Sequence, residues 1–146
     1  MLQLNLPPFE YQLRKEANRL QIFDIIRRKF LVLTPEEWVR QHFIHFLINQ
    51  YQYPKSLIQV ETGLKYNALQ KRTDIVVYDR EGKPFLVIEC KAPNVKISEE
   101  TFRQASAYNK ILQAPYLAIT NGMVHQCCKT DWESGEISFL KEIPVF

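Results

Sequence analysis

Apolar and polar positions along the chain change period from one stretch to the next. Around "KEAN" at 15–18, Phe9, Tyr11 and Leu13 and then Leu20 and Ile22 alternate as in a hairpin. Leu13, Ala17 and Leu20 also fit a helical stripe, so residues 9–23 stay open between strand and helix. "LTPEEWVRQHFIHFLINQY" then announces a helix: Thr34 suits the N-cap, Pro35 the first helical position, and Glu37 the far corner of a capping box. Its apolar positions from Trp38 to Ile48 cover more than one stripe, which predicts packing on two sides. Residues 56–66 read as a strand and 67–70 as a loop, followed by two apolar runs flanking the turn "REGK" at 80–83. Ser98, ahead of Glu99 and Glu100, caps a second helix that runs to about Gln113 and stops before Pro115. Strands are expected over 115–122, 123–130 and, at an edge, 136–143.

That order predicts an α/β fold, a mixed central β-sheet flanked by helices, in a single domain over 1–146. Residues 1–30 form a basic extension packed on it. The 146 residues, 46% of them apolar, suffice for one core. No apolar run reaches eighteen residues, and the N-terminus has no basic segment ahead of an apolar one, so a cytoplasmic protein is expected. Three cysteines, Cys90, Cys127 and Cys128, make no disulfide framework.

The net charge is +3, and its placement matters more than its size. Arg14, Lys15, Arg19, Arg27, Arg28 and Lys29 face only Glu10, Glu16 and Asp24 in the same stretch, while the remainder of the chain is balanced. Arg27, Arg28 and Lys29 form its densest point, a candidate patch for nucleic-acid phosphates; a solvated face is the plainer reading of the same charges.

The hairpin "RTDIVVYDREGKPFLVIECKAP" poses the chemical question, because Asp74, Glu89 and Lys91 interrupt runs built for burial. With "REGK" as a four-residue turn, Asp79 faces Pro84, Tyr78 faces Phe85, Val76 faces Val87 and Asp74 faces Glu89, with Lys91 two residues on along the same face. Two carboxylates so placed repel each other unless a cation lies between them. A divalent ion with few hard oxygen ligands, the remainder being water and substrate phosphate, is the habit of magnesium. Such an ion lowers the pKa of a bound water and offsets charge on a phosphoryl centre, and Lys91 beside it can position that water or stabilise the charge. A strand-end salt bridge between Asp74 and Lys91, with Glu89 solvated, is the competing reading.

The stretch resembles the PD-(D/E)xK nuclease superfamily, and more narrowly the N-terminal nuclease domain of type I restriction enzyme R subunits. The likeness rests on the R-x-D strand, the Gly-containing turn, the strand ending in Glu89-x-Lys91-Ala-Pro, and Gln104-x-x-x-Tyr108 in "RQASAYNKI". It spans about residues 19–122. It implies a restriction-endonuclease-like core and magnesium-dependent hydrolysis of DNA, with manganese a possible substitute ion. By position, Asp74 and Glu89 become metal ligands, Lys91 the catalytic lysine, and Gln104 and Tyr108 the accessory pair on one helix face. Relatives often add an acid from the first helix; Glu37 or Glu36 fits, Glu37 also having its cap role. Arg72 joins Arg27, Arg28 and Lys29 among residues expected to meet DNA. Thr73 stands where the eponymous Pro would be, a minor departure. R subunits continue into a helicase motor, and no G-x-x-x-x-G-K-[ST] occurs here, so translocation is not expected of this chain.

Other residues draw blander readings. Glu61 suits a solvated strand position. His125, Cys127 and Cys128 lack the second ligand pair that a structural zinc site needs. Cys90 reads as a small buried apolar residue, and His42 and His45 as helix-packing residues. The expectation is a restriction-type endonuclease acting on DNA, with other restriction subunits or a second copy as possible partners. The alternative is an inactive module of the same fold that binds DNA or a restriction-complex partner.

Overall fold

A computed structural model describes residues 1–60 and 75–146 in full and, between them, the backbone of two short strands at 65–66 and 69–70. The chain opens with a three-stranded antiparallel sheet of β1 (Leu13–Glu16), β2 (Arg19–Asp24) and β3 (Lys29–Val32). The period-2 reading of residues 9–23 therefore prevails over the helical one. Ala17 and Asn18 make the β1–β2 turn with φ of 50° and 62°, the double positive φ that matches the twist of a tight hairpin. β3 is an element the hydrophobic pattern does not announce. Asp24 makes it possible: its Oδ1 accepts from the backbone N–H of Ile26 and Arg27 at 2.7 and 3.0 Å, closing the turn into β3.

Helix α1 (Pro35–Asn49) starts as expected, with Thr34 Oγ1 accepting from the Glu37 N–H at 3.0 Å. The expected capping box is not completed. Glu37 turns its carboxylate to Arg27, Arg40 and Gln41. Every residue from Glu37 to Ile44 is buried, which is the two-sided packing anticipated.

Six of the described strands form the main sheet in the order β11-β10-β9-β8-β7-β4. They are β4 (Ile58–Val60), β7 (Ile75–Tyr78), β8 (Pro84–Cys90), β9 (Tyr116–Thr120), β10 (His125–Thr130) and β11 (Ile137–Leu140). Among the described residues, β5 (Lys65–Tyr66) and β6 (Leu69–Gln70) pair with each other. Of the strand expected over 56–66, β4 and β5 are the described strand residues, and part of the expected loop at 67–70 is β6. Within the main sheet β8 and β9 are parallel and the other pairs antiparallel. A parallel pair needs a crossover, and α2 (Glu99–Leu112) supplies it. Ser98 and Thr101 form a full capping box there, and Gln113 ends the helix in the left-handed region at φ 55°.

Side chains alternate across the sheet into two cores. Ile75, Val77, Leu86, Ile88, Cys90 and Cys127 face the α1 layer. Val76, Val87, Leu117, Ile119 and Cys128 face α2. The chain is therefore α/β, a mixed sheet between helices, as its pattern predicts. Among the described residues no helix is long and apolar enough to cross a membrane.

The β7–β8 register follows the expected pairing away from the turn, with Val76 opposite Val87 and Ile75 opposite Ile88. Nearer the turn it departs: Tyr78 faces Pro84 across an irregularity after Val77, and Asp79 has left the ladder. Asp79 instead caps the turn, its Oδ1 accepting from the N–H of Glu81 and Lys83, both at 2.9 Å. This lengthens the loop by one residue, and the bulge absorbs it.

Candidate functional site

β8 carries the groups that matter to its C-terminal end. Val87 faces α2, so strand alternation puts Glu89 on that side of the sheet and Cys90 on the other, where Cys90 is buried in the α1-side core. The parallel ladder pairs Glu89 with Ile119 and Cys90 with Thr120. The Lys91 N–H extends it by donating to the Thr120 carbonyl at 2.8 Å. Backbone pairing thus fixes where both side chains leave the strand. They meet: Lys91 Nζ lies 3.3 Å from Glu89 Oε1, with the side chains 30% and 19% exposed. A half-sheltered pair of this kind attracts more strongly than a surface pair, yet both groups remain within reach of solvent and of a ligand.

Asp74 and Arg72 lie outside the described residues, as does Glu61. Gln104 is exposed on α2 and donates to Glu100 Oε1 of the same helix at 3.2 Å. Tyr108, one turn on, is buried at 5% exposure. The structure therefore brings Glu89 and Lys91 together and sets Tyr108 into the α2 layer, while Gln104 looks to its own helix.

Glu37 sits in a different environment, a buried ionic cluster at the start of α1. Its carboxylate accepts from Arg40 Nη1 at 2.7 Å, Gln41 Nε2 at 2.9 Å and Arg27 Nη2 at 3.2 Å. Arg40 also reaches Glu36 at 2.9 Å. Arg27 donates through Nε to Asp24 Oδ2 at 2.6 Å. Burial pushes the Asp24 carboxyl up, but the backbone N–H and guanidinium of Arg27 and the Ile26 N–H outweigh it and leave it below the ordinary carboxylate value. Arg27 is thus a pin between two buried carboxylates, and it parts company with Arg28 and Lys29, which are exposed. The expected basic patch reduces at this point to Arg28 and Lys29. Sequence reasoning missed Asp24 and Arg40. The i,i+3 and i,i+4 spacing of Arg40 from Glu37 and Glu36 was the available signal.

The remaining candidates resolve as packing. Burial lowers the pKa of His42, against a hydrogen bond to the Trp38 carbonyl that raises it. Burial likewise lowers that of His45. His125 places its ring nitrogens 2.6 Å from Thr120 Oγ1 and 2.9 Å from the Asn5 carbonyl oxygen. Cys127 and Cys128 enter opposite cores. Asn121 closes the β9–β10 turn, its Oδ1 accepting from Met123 and Val124 and its amide donating to the Val95 carbonyl.

Among the described residues no three His, Cys, Asp or Glu side chains gather to hold a metal ion. Among the described residues, the end of β8 offers a hard oxygen donor, Glu89, with an ammonium beside it. That donor chemistry fits a magnesium-type ion and does not fit a softer metal.

Residues 35–144 match the family model of the type I restriction enzyme R protein N terminus. Among solved structures, the fold is similar to a fragment assigned to the HsdR subunit of a type I restriction enzyme from Vibrio vulnificus YJ016. The similarity has a TM-score of 0.54 and 22% identity, and it covers 77% of this chain and 24% of that one. This chain therefore spans about a quarter of that chain's length. No curated protein matches it.

Proposed function

Because the chain belongs to the family of type I restriction enzyme R protein N termini, we propose that it is a restriction-type nuclease domain that hydrolyses DNA phosphodiester bonds at the end of β8. The observation that carries this reading is the Glu89–Lys91 pair, 3.3 Å apart where the β8–β9 ladder ends. Glu89 and Asp74 would hold magnesium, Asp74 being the residue that the hairpin pattern of the sequence sets opposite Glu89. When bound, the ion supplies Lewis-acid activation of water and neutralises phosphate charge. Lys91 keeps its ammonium at the edge of the site, where it orients the attacking water and stabilises charge on the phosphate oxygens. Glu89 holds Lys91 in that position before substrate arrives. Gln104 and Tyr108 complete the assignment from α2, Tyr108 as part of the packed wall and Gln104 as a solvent-facing amide that would turn toward the substrate.

Glu37 is a poorer ligand on this reading than its sequence position suggests. Arg27, Arg40 and Gln41 already satisfy its carboxylate. It acts as the anchor of the α1 N-terminus.

Cleavage of supercoiled plasmid in the presence of magnesium tests the reading. The wild-type domain nicks or linearises the plasmid. Lys91→Ala and Glu89→Gln lose about two orders of magnitude or more in rate with the fold intact by circular dichroism. Full activity in both variants overturns the site assignment. Plasmid retention by an inactive wild-type domain would instead favour the DNA-binding module.

A further inference from the structure

The N-terminal sheet has a second face whose composition does not suit bare solvent, and it precedes the stretch matched by the family model. Cross-strand partners share a face. Arg14 opposite Gln21, Glu16 opposite Arg19, Gln21 opposite Val32 and Phe23 opposite Phe30 therefore all project to one side. The other side carries Ile22 and Asp24, both fully buried, toward α1. On the outer side Phe23 and Phe30 form a cross-strand ring pair with centroids 5.2 Å apart. Both rings are half-buried, and neither belongs to either core. The Arg14 guanidinium sits over Phe30 with its carbon 4.2 Å from the ring centroid, its Nε donating to Gln21 Oε1 at 2.6 Å and its Nη2 pairing with Glu16 at 2.8 Å. Beyond Phe23 the surface dips into a groove of about 560 Å³ bordered by Phe9, Tyr11 and His45. His45 there stacks on Phe9 with ring centroids 4.2 Å apart, and burial lowers its pKa.

Charge is arranged around these rings with one sign in excess. Arg27 and Asp24 neutralise each other internally. On the outer face that leaves Arg14 and Arg19, with Arg28 exposed at the β2–β3 turn, against Glu16, which pairs with Arg14 at 2.8 Å; Lys15 and Lys29 alternate to the other face. A half-exposed ring pair capped and flanked by guanidinium groups is the chemistry that takes unstacked bases on its planes and their phosphates on the neighbouring charges. A duplex presents base edges to its grooves and keeps base faces covered, so it offers the rings nothing.

We propose that the outer face of β1–β2–β3 binds single-stranded nucleic acid, with bases stacked on Phe23 and on the Arg14 guanidinium that covers Phe30, and phosphates met by Arg19 and by Arg28 at the β2–β3 turn. This assignment does not rest on the cleavage reading. Binding is measured in EDTA, where a metal-dependent nuclease is silent, so an inactive domain leaves the result interpretable.

The test is fluorescence anisotropy with a labelled oligothymidylate of roughly 16 nucleotides, long enough to cross the face, against a duplex of equal length. The wild-type domain binds the single strand about ten-fold or more tightly than the duplex. Phe23→Ala and Phe30→Ala each weaken single-strand binding about ten-fold, the loss expected for one stacked base. Arg19→Gln, at an exposed position, lowers the salt slope of log K by about 0.7, the value for one phosphate contact on a single strand. Because it touches neither core, it keeps the test open even if a Phe variant unfolds. Single-strand affinity within about two-fold of wild type in both folded Phe variants, or an unchanged salt slope in Arg19→Gln, overturns the proposal. So does equal affinity for duplex and single strand.

Discussion

Replacing Arg27 with methionine tests the ionic cluster that seats α1 against the N-terminal sheet. The substitution keeps most of the apolar stem and removes the guanidinium. Asp24 Oδ2 then loses its donor at 2.6 Å and Glu37 loses one of three. The two backbone N–H bonds to Asp24 Oδ1, at 2.7 and 3.0 Å, survive because they do not involve the side chain. Removing one partner of a buried ion pair costs about 3–5 kcal/mol. The surviving N–H bonds, with the hold of Arg40 on Glu37, place the expectation at the lower end, about 3 kcal/mol near neutral pH. The pH dependence follows from Asp24. Its folded-state pKa lies below the ordinary value, so in the wild type its ionised form contributes stability above the unfolded pKa, and that contribution is lost as pH falls through the folded pKa. Without the guanidinium, two of the contributions that hold the carboxyl down are gone, so its folded-state pKa rises. The deficit of the variant is therefore largest near neutrality and shrinks as pH falls through the carboxylate range, around pH 4. Urea denaturation followed by far-ultraviolet circular dichroism at both pH values measures it. A deficit under about 1 kcal/mol near neutrality, or one of equal size at both pH values, refutes the role given to Arg27.

Other outcomes follow from local geometry. Gly122 has φ +85°, and a Cβ there would lie 2.9 Å from Leu4 Cδ2 and 3.1 Å from Val39 Cγ2. Gly122→Ala should cost about 1–3 kcal/mol and open the first nine residues to proteolysis, since the Asn5 N–H is held by the Gly122 carbonyl; unchanged melting and digestion would contradict this. Burial pushes the Cys127 and Cys128 thiols up to about 12 and about 11. The native domain at mildly alkaline pH should therefore show almost no iodoacetamide adducts at these positions by mass spectrometry, against rapid alkylation in denaturant. Rapid native alkylation would show that the two cores are not closed as described.

Local signals carried most of the main sheet. Thr34-Pro35 and Ser98 with its acidic first turn mark both helix starts, because caps are satisfied within a few residues and leave their trace in sequence. The pairing of Val76 with Val87 is legible because β-alternation and burial leave one register that keeps both faces apolar. Departures occur where a polar side chain had two partners to choose between. Glu37 fits a capping box on spacing, yet Arg27, ten residues earlier in the chain, and Arg40 compete for its carboxylate and win through charge. Asp79 reads as a ladder residue but makes an Asx turn, and that choice shifts the register by one. β3 was hidden because Lys29–Val32 is short and half exposed, so tertiary pairing with β2, not alternation, defines it. At the candidate site, E-x-K spacing was enough to bring Glu89 and Lys91 together, since two residues along one strand share a face. The position of Tyr108 in the α2 layer and the outward turn of Gln104 depend on how the helix rotates against the sheet, which spacing alone does not set.

Anomalous diffraction from crystals soaked in manganese tests the proposed divalent-metal site at the end of β8. The account predicts one strong peak within about 2.0–2.3 Å of carboxylate oxygens of both Glu89 and Asp74, with Lys91 Nζ close by but outside the coordination sphere. The absence of a peak at Glu89, or a peak seated instead on Glu36 and Glu37 with Arg40 displaced, would contradict it.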